Sequence, residues 1–290
     1  MFDTIVIVDW SASARPKRGA DSIWICRLDV ASGARELHNP PTRTEAQRVL
    51  VDLFSEPGAR SGTTLAGFDF PFGYPSGFAQ AAGLRGATPW LATWAHLAAH
   101  LHDDDQNGND RWQVAADLNR RLVHARFWGA PHQRHIDGLP HLKARPADAL
   151  SEFRTVERRL REQHRLRPFS CWQLMGAGSV GSQALTGIPV LQRLRTHVEL
   201  SHRLRVWPFE PVDLPSAGRI VAAEVWPSML AASTIDAVDE PVKDARQVTA
   251  LAEHLAQRER DGLLVADLHP EIDPADVDRV HREEGWVLLV

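Results

Sequence analysis

Four acidic residues of this 290-residue chain stand out by their surroundings: Asp9, Asp69, Glu224 and Asp244. Asp9 ends Thr4-Ile-Val-Ile-Val-Asp9, a β-branched run that reads as a buried central strand, apolar on both faces. Asp69 ends a second apolar run, Thr63-Thr-Leu-Ala-Gly-Phe-Asp69, and Pro71, Gly73 and Pro75 turn the chain at once. Glu224 closes a third, Gly218-Arg-Ile-Val-Ala-Ala-Glu224, shortly before Pro227, and Asp244 follows Lys243 at the head of an amphipathic stretch. A carboxylate leaving a strand escapes a heavy desolvation cost only if it faces water, a cation or a donor. Each also has a plain role open to it: Asp9 as a cap on the next turn, Asp244 as a helix N-cap.

A second group that could do chemistry is Cys171-Trp-Gln-Leu-Met-Gly176-Ala-Gly178-Ser179-Val-Gly181, which spells G-x-G-x-x-G. As a dinucleotide fingerprint it is misplaced, deep in the chain, and Thr186-Gly-Ile-Pro189 is expected to break the helix it should open. Glu199 is its only acidic partner at about the right distance. Gly176, Gly178 and Ser179 suit a loop that approaches a phosphate through its backbone, or a structural turn. The acidic run at 103–110 lacks EF-hand spacing and reads as a solvated loop. His132, His135 and His141 lie on one loop without acidic or thiol partners at metal-ligand spacing. Glu152 and Glu157, among arginines, read as the solvated face of a helix at 150–164.

The elements that must position these residues follow from hydrophobic period and turn residues. Segments 4–9, 22–28 and 35–38 predict three hairpin-connected strands, 44–54 a helix, and 63–69 a fourth strand parallel to the first. Asp9 and Asp69 then meet at the carboxyl ends of neighbouring strands, the usual place for a site in an open α/β sheet. Further helices are expected at 90–102 and 114–124, strands at 206–210 and 218–224, a helix at 245–258 and a final strand or edge segment at 284–290.

Bulk composition narrows the function classes. Hydrophobic content of 43% and charged content of 24% are ordinary for a globular protein. A net charge of −4 advertises no global field for nucleic acid, though a local basic groove stays open. Basic residues are nearly all Arg; the lysines are Lys17, Lys143 and Lys243. Cys26 and Cys171 cannot form a zinc cluster alone and read as buried thiols of a reducing compartment. No apolar run approaches the roughly 20 residues of a membrane span. Met1 opens onto a charged residue and a short strand, so no signal peptide is expected and a cytoplasmic location is.

Three stretches now stand together: Ile5-Val-Ile-Val-Asp9-Trp10, Gly67-Phe-Asp69-Phe-Pro71-Phe-Gly73 and Ala223-Glu224-Val-Trp-Pro227, followed by Lys243-Asp244-Ala245. In this order and spacing they resemble the domain-of-unknown-function 429 family, described as predicted nucleases of RNase H-like fold. The resemblance covers about half the chain, at both ends. It implies an α/β fold, an RNase H-like mixed sheet flanked by helices over 1–74 and 220–290, with a large, mainly helical insertion at 75–219. It implies Asp9, Asp69, Glu224 and Asp244 as ligands for Mg²⁺ or Mn²⁺, hard cations that suit carboxylates and keep water positions open. Lys243 would contact phosphate, and Ser11 and Ser13 would orient water or a ligand. The expected activity is metal-dependent hydrolysis of a phosphodiester, with nucleic acid or a smaller phosphodiester as substrate. Two other readings stay open: a nucleotide-binding ATPase or phosphotransferase of the same superfamily, and a non-catalytic interaction protein whose carboxylates are caps.

Overall fold

The computed structural model describes residues 1–144, 150–163, 166–176 and 179–290. Its centre is a six-stranded mixed sheet of order β3-β2-β1-β4-β6-β5. Strands β1 (Thr4–Asp9), β2 (Trp24–Asp29) and β3 (Arg35–His38) form an antiparallel meander. Strands β4 (Thr64–Phe68), β5 (Leu204–Val206) and β6 (Ile220–Glu224) complete it, with β1, β4, β6 and β5 mutually parallel. The expected meander and the parallel return of β4 are therefore present. The sheet also takes β5 from within 75–219, so that segment is more than an appended insertion.

Side chains alternate across the sheet, and the two faces form two cores. Val6, Val8, Ala66, Phe68 and Ala222 lie in one. Ile5, Ile7, Leu65, Val221 and Ala223 lie in the other. The first core is covered by α1 (Arg43–Ser55), α2 (Pro89–His100), α3 (Arg111–Arg121) and α5 (Gly181–Thr196). The second is covered by α4 (Thr155–Glu162) and α6 (Lys243–Arg260), through Val156 and Leu160 and through Val248, Leu251 and Leu255. Thr42 caps α1 by accepting from the Glu45 N–H at 3.2 Å. Burial on both sides is why β1 reads as a continuous β-branched run. Among the described residues, no helix is long and apolar enough to cross a membrane.

Several local expectations are corrected. Helix α5 runs through Pro189 instead of breaking before it. Pro189 removes one backbone N–H, but Leu185, Ile188, Val190 and Leu191 are buried around it, and packing holds the helix together. The strand expected at 206–210 ends at Val206, where a tight turn begins. Residues 284–290 form no strand. A π-helical turn, Val280–Glu284, precedes them, and Val287 makes a lone parallel bridge to Glu224.

Several acids are structural, among them one expected in a solvated loop. Asp103 of the acidic run is 5% exposed and pairs with the buried Arg43 guanidinium at 2.5 and 2.6 Å. Arg43 also donates to the carbonyls of Ser11 and Ser13, fixing the loop that leaves β1. Glu283 accepts from the N–H groups of Gly77 and Ala79, and Glu284 from those of Ser76 and Thr155. The two carboxylates thereby clamp the turn after β4 and the start of α4.

That clamp explains Gly73. A Cβ there would overlap the carbonyl oxygens of Glu283 and Glu284. Gly73→Ala is expected to destabilise the protein by about 1–3 kcal/mol, the usual range for forced overpacking. Urea unfolding of the variant reads this directly, and an unchanged midpoint would refute the close approach.

Candidate active site

The parallel register aligns Val8 of β1 with Phe68 of β4. The next residue on each strand is an aspartate, so Asp9 and Asp69 leave the sheet side by side, about one strand spacing (~4.8 Å) apart at their Cα atoms. The Asp69 N–H donates to the Val8 carbonyl at 2.9 Å, which carries the pairing one step past the strand. Both aspartates continue the parity of Ile7 and Gly67, the face covered by α6. Asp244, in the first turn of α6, lies on that same face.

Three acids thus gather where little answers their charge. Among the described residues, neither the Asp9 nor the Asp69 carboxylate has a hydrogen bond or an ion pair. Burial, then Asp69, Asp244 and Asp21, push the Asp9 carboxyl well above its usual range, with Lys243 opposing. Burial, then the nearby Glu224 charge, push Asp69 up to about 7. Asp244 is raised by burial, though its Oδ2 accepts from the Asp21 N–H at 2.6 Å. Asp21 holds a left-handed backbone (φ 51°), and Lys17 pairs with it at 3.1 Å. Asp244 therefore tethers the loop after β1 to α6.

Glu224 stands apart. It pairs in register with Phe68, one residue before Asp69, so alternation sends it to the opposite parity. There both of its oxygens are taken. Oε1 accepts from Arg154 Nη2 at 2.6 Å; Oε2 accepts from Arg154 Nη1 at 2.8 Å and the Phe72 N–H at 3.0 Å. Burial still raises its pKa, against the pull of Arg154. Arg154, 1% exposed, also binds Glu157 at 2.6 Å. Glu157 is thus a buried ion-pair partner and not the solvated acid its neighbours suggested.

The remaining candidates frame the site. Ser11 and Ser13 spend their hydroxyl protons on the carbonyls of Asp21 and Arg15, stitching the loop after β1. Lys243 is exposed at the head of α6, near enough to lower Asp9 and Asp244. Gly176 has a φ of 112° and its carbonyl accepts from the Ser179 N–H shortly before α5; Gly178 lies outside the described residues. No strand precedes this turn, only a lone bridge between Trp128 and Gln173. Val180, next along, lines a narrow cleft of about 50 Å³ with Asp69, Phe169, Glu224 and Trp226. That volume holds one or two waters.

Among the described residues, no three His, Cys, Asp or Glu side chains converge as a metal cage. The donor set nevertheless fits one hard cation. Mg²⁺ is commonly held by one or two carboxylates, with water and phosphate filling its other positions. Asp9 and Asp69 supply two unpartnered, mutually repelling carboxylates, which is that pattern. His132 and His141 stack on each other at 5.7 Å on their loop, away from these acids.

Sequence reasoning missed Arg154, Asp21 and the Glu283–Glu284 clamp. Arg154 carried a faint signal: Glu157, three residues on, accepts from its backbone N–H at 2.6 Å and from its guanidinium at the start of α4. The clamp had none, because its partners are backbone N–H groups more than 100 residues away. Compared with protein-family models, curated proteins and solved structures, the chain matches none.

Two outcomes test this electrostatic arrangement. Between pH 4 and 7 the folded chain keeps a proton on Asp69 that the unfolded chain, with an ordinary value of 3.8, has released. Stability must then fall as pH rises through that window. In EDTA, wild type should lose more stability from pH 5 to pH 8 than Asp69→Asn, and parallel pH profiles would refute the shift. Separately, Arg154→Met strands two buried carboxylates and should cost about 3–5 kcal/mol in urea unfolding. A loss under 1 kcal/mol would mean that the pair is solvated.

Proposed function

We propose that the protein is a metal-dependent phosphodiester hydrolase of RNase H-like architecture, with Asp9 and Asp69 as the ligands of a Mg²⁺ or Mn²⁺ ion. The observation that carries the reading is their in-register placement at the carboxyl ends of adjacent parallel strands, with no cationic partner within hydrogen-bonding reach among the described residues. An antiparallel meander followed by parallel β4 and β6 supports the fold part of the reading, with β5 as an added edge strand. The bound ion would neutralise phosphate charge and lower the pKa of a coordinated water.

The chain's own residues have distinct parts in this reading. Asp9 and Asp69 face one spot because the strand register fixes them, and losing either leaves one ligand. Asp244 holds the loop after β1 through Asp21 and adds negative charge across the site. Lys243, exposed beside them, is placed to contact a phosphate oxygen. Glu224 acts through Arg154: its ion pair anchors α4 against the sheet end, and its charge raises Asp69. This favours one ion over two, because Glu224 and Asp244 already have donors.

The nucleotide-binding reading has weaker support, since the cleft beside Val180 is far smaller than a nucleotide. For a purely capping role, Asp9 and Asp69 lack the backbone N–H partners that define caps.

In a cleavage assay with Mn²⁺ and labelled nucleic acid, wild type should be active and Asp9→Asn reduced to background. The melting temperature of Asp9→Asn should match or exceed wild type, because a repelling charge is removed. Equal activity of the two proteins would exclude Asp9 as a ligand.

A further inference from the structure

A basic hollow lies on the outer side of α4, across the helix from the Asp69 cleft. It has a volume of about 350 Å³ and is lined by Phe153, Arg158, Arg161, Glu162, Leu166 and Arg167. The two recesses share their walls. Glu157 and Leu160 of α4 face the Asp69 cleft, while Arg158 and Arg161, three residues apart on the same helix, face the hollow. The strand of chain that follows does likewise: Leu166 and Arg167 line the hollow, Pro168 and Phe169 the cleft.

The hollow is charged and uncompensated. Three guanidiniums face one carboxylate, and among the described residues Arg158, Arg161 and Arg167 have no ion pair. Arg158 is braced by donating to the Phe153 carbonyl and the Thr155 hydroxyl. The Arg161 guanidinium lies 4.6 Å from the centre of the Phe153 ring, forming a flat cationic platform. Phe169 is 44% exposed at the mouth of the Asp69 cleft, where its ring is open to a ligand.

Guanidiniums that track phosphate, interleaved with exposed rings that stack on bases, are the chemistry of single-stranded nucleic-acid grooves. A duplex hides its base faces within its own stack, so these rings could serve only unpaired bases. From this basic hollow and the exposed ring two residues beyond Arg167, we propose that the groove of Arg158, Arg161, Arg167 and Phe169 binds single-stranded nucleic acid beside the Asp69 cleft. The proposal rests on the hydrolase reading for its purpose and not for its binding, which needs no metal.

Binding is therefore measured in EDTA, by fluorescence anisotropy of a labelled single-stranded oligonucleotide and of its duplex, across a salt series. Wild type should bind the single strand more tightly than the duplex. Arg161→Ala/Arg167→Ala removes two phosphate contacts and should flatten the log–log salt slope by about 1.4. Phe169→Ala should weaken binding roughly 5- to 150-fold, the effect of one lost stacked base. All three side chains are exposed, and circular dichroism melts confirm that the variants fold. Absence of single-strand binding, tighter duplex binding, or variants with wild-type affinity and slope would overturn the groove. Oligonucleotide binding without Mn²⁺-dependent cleavage would sink the hydrolase reading alone, and cleavage with unaltered groove variants would sink the groove alone.

Discussion

Backbone register holds Asp9 and Asp69 on neighbouring strands, and much at this end of the molecule follows from that. The pairing of β1 with β4 is set by a sheet buried on both faces, where a one-residue slip would reverse every side chain. Asp9 and Asp69 are then fixed neighbours whatever their mutual repulsion costs. A chain of marginal stability keeps such an arrangement only where the surrounding packing over-determines it. Here β-branched residues on both faces of β1, and the buried Leu65, Ala66 and Phe68 of β4, supply that packing.

The rest of the edge controls how much charge reaches this pair. Arg154 binds Glu157 and Glu224 together, so two buried acids share one guanidinium. The Glu283–Glu284 pair is spent on backbone N–H groups. Asp103 is spent on Arg43, and through it holds Ser11 and Ser13. What remains without a donor among the described residues is Asp9 and Asp69. The contrast between acids with strong partners and acids with none separates scaffold from candidate ligand more sharply than residue type does.

Much of this was legible in the sequence, for reasons that can be named. Strands β1, β4 and β6 are short, β-branched or small-residue runs that end on acids, and sheet period and turn residues locate them. The aspartates at the ends of β1 and β4 therefore came out together. Glu224 looked equivalent because its strand ends the same way, but register is a pairwise property: one residue of offset sends it to the other face and to Arg154. Pro189 looked like a helix stop because propensity ignores tertiary packing. Asp103 looked solvated because its partner Arg43 is distant in the chain, and Glu157 because an arginine-rich helix does not show which of its residues are buried. The basic hollow was hidden because such a helix shows its composition and not what faces it.

The central claim, that Asp9 and Asp69 form a divalent-cation site, is tested most directly by isothermal calorimetric titration of Mn²⁺ into wild type and Asp69→Asn at pH 8. Wild type should give a single saturable binding event with proton release held to a minimum, and Asp69→Asn should give none. Superimposable isotherms for the two proteins, or no heat of binding with wild type, would leave the paired aspartates without the role assigned to them.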